Sequence, residues 1–511
     1  MSQTPAIDPP GAGEDAGNSL EVAGSGPREQ AAGLYDGCSV ATPAVLIMAA
    51  GRGTRMRSRL PKVLHPLCGR PMLLWTVLAA REAGAERIVV VLGEDAEQVR
   101  AALPDDVQVA VQDPPAGTGD AVMKARDRLA GCEQVIVLSG DHPLLESSFI
   151  TALAEHHASS GAAATVTTRV LDDPGQYGRI VRGADEEIER IVETKDPADA
   201  TPAELAIREI NAGTYAFAVE PLFEALAGVR ADNSQGEHYL GDVLPLLRAA
   251  GHRVVAHLTE DEAVGLGVNT RVDLARVETA ARRRILERHM LAGVTVRDPA
   301  STHVDADVEI GEDTTLEPYT FLRGAVSVGR NCTLGPMTTL IDSDIGDEVA
   351  VVHSYLNDCE VARGCTVGPF THLRPAARLG QGAKAGAFVE IKNSDVATGV
   401  KVPHLSYIGD ADLGAGTNIG AGTITANYDG VRKHRTVIGR DVRTGIHTSL
   451  VAPVTVGDGA YTGAGSVITQ DVPPGALGIA RPRQENVDHY AERAPAAKAK
   501  DGKVTSEEGA K

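Results

Sequence analysis

Aromatic residues make up only 3% of the 511 residues, with one tryptophan and six phenylalanines. That scarcity suits a narrow, aliphatic core. Cysteines are equally few: Cys38, Cys68, Cys132, Cys332, Cys359 and Cys365 are scattered, and none forms C-x-x-C. Such usage fits a reduced, cytosolic setting without a zinc site. No apolar run approaches the ~18 residues that a membrane helix requires. A basic surplus is missing too. Lys+Arg number 49 against 69 Asp+Glu, a net charge of −20, which argues against general binding to nucleic acid or an anionic membrane. Residues 1–42, rich in Gly, Ala, Pro and Glu, lack the apolar segment of a secretory signal. They are expected to be a disordered tail, as are residues 491–511. The remainder is too long for one ordinary core and calls for two or three domains.

Against the acidic background, one basic cluster stands out. An apolar, β-like run from Val45 breaks at Met48-Ala49-Ala50-Gly51-Arg52-Gly53-Thr54-Arg55-Met56, and Leu60-Pro-Lys62-Val-Leu64 follows. Glycine-rich backbone of this kind approaches a ligand closely and forms an anion-binding nest of amide N–H groups. Arg52, Arg55, Arg57, Arg59 and Lys62 surround it with cations, as a polyphosphate site requires. The loop is neither a Walker A motif nor a dinucleotide fingerprint. Taken alone, it also fits a surface turn with solvated arginines.

From 43 to 271, strand-like and helix-like runs alternate. Ile88 to Leu92 follows a helix that starts at Pro71 and stops at Gly84; Val107 to Val111 precedes a helix from Gly119 to Ala130; then comes Val135-Ile-Val-Leu-Ser-Gly-Asp141. This alternation predicts an open, mainly parallel sheet covered by helices, with ligands beyond the carboxyl ends of its strands. The Gly51 loop and Asp141 both fall there. A carboxylate at that point can hold Mg²⁺ against substrate phosphates, or it can simply cap the next helix.

In order along the chain stand AAGRGTRM, LPKVLH, Gln112 with Gly117-Thr118-Gly, Gly-Asp141, Tyr-Gly178-Arg-Ile, Val-Glu193-Thr-Lys-Asp, Glu-Ile-Asn211 and Gly-Val-Asn269. The set resembles the sugar-nucleotide pyrophosphorylases, closest to their N-acetylglucosamine-1-phosphate uridyltransferase branch. The resemblance implies that Gly51 to Arg55 and Lys62 handle the UTP phosphates and that Met48, Ala49 and Ala50 also contact UTP or UDP-N-acetylglucosamine. It gives uracil to Gln112, Gly117 and Thr118, Mg²⁺ to Asp141 and Asn269, and the sugar phosphate to Gly178, Glu193 and Asn211. Ser139 stands where the family often has tyrosine, a change expected to act only locally.

Residues 272–292 contain one glycine-free, proline-free run to Leu291, with apolar positions 274, 277, 281 and 285 at helical spacing. A helix of ~20 residues spans ~30 Å and would bridge two domains. Its Arg282-Arg-Arg284 run reads as a solvated face.

From 293 to 490 a short repeat takes over: an aliphatic residue before a small or acidic one at Val308, Val328, Ile345, Val367, Leu379, Leu413, Ile438 and Val456. Several spacings are multiples of six, the signature of a parallel β-helix. Such a repeat can be purely architectural. Large polar residues interrupt it, however. Arg374 and Lys392 can clamp a phosphate monoester, and His404 has the titration range of a general base.

The segments around His404-Leu-Ser-Tyr407, Asn418-Ile-Gly-Ala421 and Asn427-Tyr428 resemble the acetyltransferase half of the bifunctional glucosamine-1-phosphate N-acetyltransferase/uridyltransferase family, so the likeness spans about 43–485. The family's β-helix is left-handed. The resemblance makes His404 the base that deprotonates the sugar amine. It assigns Arg374, Lys392, Tyr407 and Asn418 to the sugar phosphate, and Ala421, Asn427, Tyr428, Ala464 and Arg481 to acetyl-CoA, with Glu390 supporting the site. It further implies UTP and acetyl-CoA as co-substrates, Mg²⁺, a cytoplasmic homotrimer assembled through the β-helix, and a product that feeds bacterial cell-envelope synthesis. One departure is Gly445-Ile446-His447, where the family usually has Gly-Ser-Asp. It raises the alternative of a uridyltransferase whose β-helix serves only assembly.

Overall fold

The computed structural model describes residues 43–93, 96–194, 200–231 and 236–490. The two expected tails and Lys195 lie outside these residues.

The N-terminal half is a nine-stranded mixed sheet. Its strands are β1 (Ala44–Ala49), β2 (Ile88–Leu92), β3 (Gln108–Val111), β4 (Gln134–Ser139), β5 (Ala164–Val170), β6 (Arg179–Arg182), β7 (Ile188–Val192), β8 (Glu209–Ala218) and β9 (Val254–Leu258). The main path runs β9-β5-β8-β4-β1-β2-β3. Strands β4, β1, β2 and the edge strand β3 are parallel, while β8 runs antiparallel to β4 and β5. β1 and β2 are almost wholly apolar and buried, as parallel strands covered on both faces must be. Helix α1 (Met72–Glu82) begins one residue after Pro71. The helix expected over 119–130 is shorter: α2 (Thr118–Lys124) ends early, and Arg126–Arg128 forms a 3₁₀ turn. α3 (Ser147–Ser160) completes the cover.

Helix α4 (Arg271–Leu291) then leads into the second half. A capping box starts it: the Thr270 hydroxyl accepts from the Asp273 N–H, and the Asp273 carboxylate accepts from the Thr270 N–H. Val277, Ala281 and Ile285 are buried, as their spacing predicted. The arginine run is not a solvated face. Arg282 reaches His303 on the β-helix (3.0 Å), and Arg284 donates to the Leu144 carbonyl (2.7 Å) and pairs with Glu146 (3.2 Å). Only Arg283 of the three is exposed. The helix therefore tethers both halves, and one apolar cluster runs continuously from Met56 and Met72 through α4 into the β-helix.

The C-terminal half is a three-sided left-handed parallel β-helix. Its first face runs from Thr295–Val296 to Lys401–His404, its second from His303–Val304 to Val467–Ile468 and its third from Glu309–Ile310 to Val454–Val456. Each coil sends one aliphatic residue inward per face. Leu316, Leu334 and Val351 do so on the first, Leu322, Leu340 and Leu356 on the second, Val328, Ile345 and Val361 on the third, all buried. Burying each such side chain contributes ~1.5–3 kcal/mol, so the repeat itself supplies the core without rings.

Candidate functional sites

The first site lies where β1 and β4 end. Gly53 takes a left-handed φ of 59°, and a Cβ there would stand 2.5 Å from the Lys62 Cβ. The glycine loop therefore packs on the Lys62 stem and is no free surface turn. Lys62 Nζ donates to Asp141 Oδ2, and both side chains are mostly buried. Ser139 Oγ donates to Asp141 Oδ1 (2.7 Å). Asp141 caps no helix; α3 starts later, after Glu146. Burial would raise the Asp141 pKa, but Lys62, His142 and Ser139 together reverse this and hold it at about 2. Its stability contribution is thus present above the ordinary carboxylate range and lost as pH falls toward 2.

The Val268 N–H donates to the Asp141 carbonyl (2.9 Å), which sets Asn269 beside Asp141. Asn269 Oδ1 accepts from Arg55 Nη2 (2.9 Å), and its backbone N–H is held by the capping carboxylate of Asp273 (3.1 Å). Among the described residues no cluster of three or more His, Cys, Asp or Glu could hold a metal. Two oxygen donors on neighbouring segments, one ionised, nonetheless suit Mg²⁺ by their chemistry, since it takes one or two protein ligands and fills the rest with phosphate and water.

A cavity of about 240 Å³ opens here, lined by Met48, Ala49, Ala50, Gly51, Lys62, Gln112, Gly117, Thr118, Ser139, Asp141 and Glu237, with Val63, Pro115 and Ala121. Gln112 is buried, and its amide nitrogen donates to the Gly117 carbonyl (2.8 Å) and Asp120 (2.9 Å). Both partners are acceptors, so the amide orientation is fixed and the side-chain carbonyl remains to accept from a ligand N–H. Gly117 is held at φ 103° with its Cβ position 2.4 Å from the His238 carbonyl. The segment around His238 is strapped there by Gly119 N–H to His238 O (2.7 Å) and Leu240 N–H to Thr118 Oγ1 (2.9 Å).

A second cavity of about 210 Å³ shares Met48, Thr118, Ser139 and Glu237 with the first, and adds His142, Glu193, Gly213, Tyr215 and Tyr239. Gly178 and Asn211 stand at its edge: Asn211 N–H donates to the Gly178 carbonyl (2.9 Å) and Asn211 Nδ2 to the Tyr215 hydroxyl (2.7 Å). The structure thus brings Met48 to Gly51, Lys62, Gln112, Gly117, Thr118, Asp141 and Glu193 to two adjoining cavities, whereas Arg55, Gly178, Asn211 and Asn269 line neither. Glu237, Tyr239, Tyr215 and His142 were not anticipated. A tyrosine in the polar Gly236–Tyr239 stretch of an aromatic-poor chain was the available signal.

On the β-helix, Arg374 and Lys392 occupy successive coils of the second face, one coil rise of ~4.8 Å apart. Arg374 pairs with Glu390 (2.8 Å). Lys433, which the sequence reading missed, comes from the excursion after Asn427 and stands against Lys392. That neighbouring ammonium, followed by partial burial, lowers the Lys392 pKa. Tyr407 lies over Gly409. Asn427 joins this group, donating to Asp410 and to the Tyr407 hydroxyl (3.4 Å), so it stands next to a residue expected for the sugar phosphate. Asn418 is not among them. It continues the first face, in register with Lys401 and Arg443.

His404 ends the first face and is exposed. The corner amides of Leu405, Gly422, His447 and Gly465 donate to the carbonyls of Ala387, His404, Ala421 and Ile446 in turn. His404, Ala421, Ile446 and Ala464 therefore form one column along a corner, with Ile446 54% exposed and two coils, ~10 Å, from His404. Tyr428, bonded to the Gly430 carbonyl (2.6 Å), and Arg481, beyond the last strand, are exposed and off this column.

Residues 45–242 match the profile of the MobA-like NTP transferase domain, and residues 435–470 that of the bacterial transferase hexapeptide of six repeats. The bifunctional protein GlmU of Mycobacterium bovis is 47% identical over 471 residues, covering 89% of this chain and 94% of that protein. GlmU of Brevibacillus brevis is 47% identical over 451 residues, covering 88% and 97%. GlmU of Mycobacterium marinum is 46% identical over 459 residues, covering 88% and 93%. With such coverage on both sides, this chain belongs to the GlmU family of bifunctional proteins.

Proposed function

We infer that this chain is a bifunctional enzyme that acetylates glucosamine 1-phosphate from acetyl-CoA and then joins the product to UTP, giving UDP-N-acetylglucosamine and pyrophosphate. The observation that carries this is the presence of two chemically different groups in one chain: a cavity with Lys62, Asp141 and Gln112 at strand ends, and, on the β-helix, a cation cluster together with an exposed His404. We propose that residues 43–271 perform uridyl transfer, that 272–292 bridge, and that 293–490 perform acetyl transfer.

In the first step as proposed, His404 takes a proton from the sugar amine as its nitrogen attacks the thioester carbon. The new N–C bond replaces C–S, and the thiol leaves with the proton. Arg374, Lys392 and Lys433 hold the phosphate, a dianion that relieves the repulsion between the two lysines. The column of Ala421, Ile446 and Ala464 lines the thioester's approach. In the second step, an oxygen of the sugar phosphate attacks the α-phosphorus of UTP, and pyrophosphate departs. The Gln112 carbonyl accepts from the uracil imide N–H, which cytosine lacks. Lys62, Arg55 and the loop amides align and neutralise the phosphates. Mg²⁺, held between Asp141 and Asn269, would supply further charge neutralisation when bound.

The homotrimer is part of the proposal. Tyr319, Met337, His353, Phe370, Phe388 and Leu405 mark successive coils along one corner, all at left-handed φ. Phe370 and Phe388 stack at 5.1 Å and are more than half exposed. This apolar ridge ends beside His404, and covering it with a second copy would complete the site and bring in Asn418 from a neighbour. Among the described residues no helix is long and apolar enough to cross a membrane; a cytoplasmic setting is proposed from the co-substrates. Light scattering giving a mass three times that of the chain supports the trimer, and a monomer at assay concentration contradicts it. Sugar-dependent thiol release and sugar-phosphate-dependent pyrophosphate release from one preparation test the two activities.

A further inference from the structure

The two oxygen donors offered to a divalent cation are each already engaged by a cationic side chain. Lys62 Nζ sits on Asp141 Oδ2, and Arg55 Nη2 sits on Asn269 Oδ1 at 2.9 Å. The remaining Asp141 oxygen accepts from Ser139 (2.7 Å) and faces His142 Nε2 at 3.7 Å. The backbone bond from the Val268 N–H to the Asp141 carbonyl brings the segment that carries Asn269 against Asp141. We propose that Lys62 and Arg55 are resident counter-ions that keep the metal ligands closed, and that a nucleoside triphosphate opens them, so that divalent cation and nucleotide bind as one coupled event. This rests on the assignment of Asp141 and Asn269 as metal ligands.

The physical case has three parts. A dication arriving alone meets an ammonium and a guanidinium on the same atoms it needs. The Lys62 and Asp141 side chains are only 11% and 15% exposed, so water and salt screen that repulsion weakly. A triphosphate reverses the balance by offering both cations a denser negative charge. Lys62 is built for such a move. Its stem packs against Gly53, whose Cβ position lies within 3.4 Å of Lys62 Cβ, Cγ and Cδ, so the stem stays while the ammonium is exchanged between carboxylate and phosphate. Binding linkage is reciprocal, so the metal must tighten the nucleotide by the same factor.

The test titrates Mn²⁺ into the full-length protein, with bound ion followed by electron paramagnetic resonance, without nucleotide and with UTP alone, which cannot turn over without a sugar phosphate. Wild type should bind Mn²⁺ weakly without UTP and more tightly with it. Lys62→Met should raise the nucleotide-free affinity on the order of tenfold and shrink the UTP enhancement correspondingly. Arg55→Met should act in the same direction but less, because its pair is more exposed, and it carries the test if Lys62→Met does not fold. Adding Asp141→Asn to Lys62→Met should remove the gain. An unchanged or weaker nucleotide-free affinity in the folded Lys62 variant, while Asp141→Asn still abolishes UTP-dependent Mn²⁺ binding, would overturn the counter-ion proposal alone. Mn²⁺ binding indifferent to Asp141→Asn even with UTP would overturn the metal assignment and this proposal with it.

Discussion

At the strand-end cavity Lys62 is held by Asp141, and outside its lining Arg55 is held by Asn269. On the β-helix, Lys392 stands instead against Lys433. The first site carries its own counter-charges and works by exchanging them. The second sets a coil-stack lysine against an excursion lysine and, as proposed, is completed by an anion. One chain thus prepares for phosphate in two ways, and the difference follows from architecture. Strand-end loops bring distant side chains such as Lys62, Asp141 and Asn269 together around a mobile ammonium. A coil stack places neighbours at a fixed rise and leaves a cation no new partner.

The strongest break of this comparison separates the activities. Lys62→Ala should lower uridyl transfer roughly 10³-fold and leave acetyl transfer unchanged; His404→Ala should lower acetyl transfer roughly 10²–10⁴-fold and spare uridyl transfer. Parallel assays of pyrophosphate and thiol release decide it, and a joint loss in either variant means the sites are not independent. Next, Lys433→Gln should raise the KM for glucosamine 1-phosphate about 10–100-fold, the worth of a hydrogen bond to a charged group. Because that change relieves Lys392, the Lys392 pKa should rise in the variant, measurable by NMR of a labelled lysine. If KM stays put, Lys433 does not hold the phosphate.

A smaller effect concerns the base. Asp120→Asn offers Gln112 a donor as well as an acceptor, so its amide can turn. UTP preference over CTP should fall several-fold, roughly the worth of one neutral hydrogen bond; competition kinetics with both nucleotides measure it. Smaller still is a shift in stability. Burial, with His156 and Arg288 nearby, lowers His157 and His289 to about 4, so both are neutral in the fold. Unfolded histidine titrates near 6.5. Stability is therefore full above that value and declines as pH falls from 6.5 toward 4. Melting temperatures across this window should drop, and His289→Gln should drop less.

Much of this was legible in the sequence, for physical reasons that differ by half. Every repeat position from Val308 to Val456 proved buried, because an inward aliphatic per face is the only way such a coil closes. The N-terminal motifs converge because strand-end loops of a parallel sheet share one edge. The failures are equally physical. Arg282 and Arg284 looked solvated because a helix sequence does not reveal what packs against its polar face. Lys433, Glu237 and Tyr239 sit on excursions without periodicity, where no pattern marks them. Ser139, where the family often has tyrosine, falls at the metal candidate itself, since its hydroxyl donates to Asp141.

Ile446 is where the account of two working sites is most exposed, because it stands on the His404 column in place of a hydroxyl. The most direct measurement is thiol release from acetyl-CoA with and without glucosamine 1-phosphate, in wild type, His404→Ala and Ile446→Ser. Sugar-dependent release that disappears in His404→Ala, with Ile446→Ser changing the acetyl-CoA KM by less than about tenfold, is the predicted result. No sugar-dependent release in a preparation that still forms UDP-N-acetylglucosamine from N-acetylglucosamine 1-phosphate would contradict it, and would leave a uridyltransferase carried on a structural β-helix.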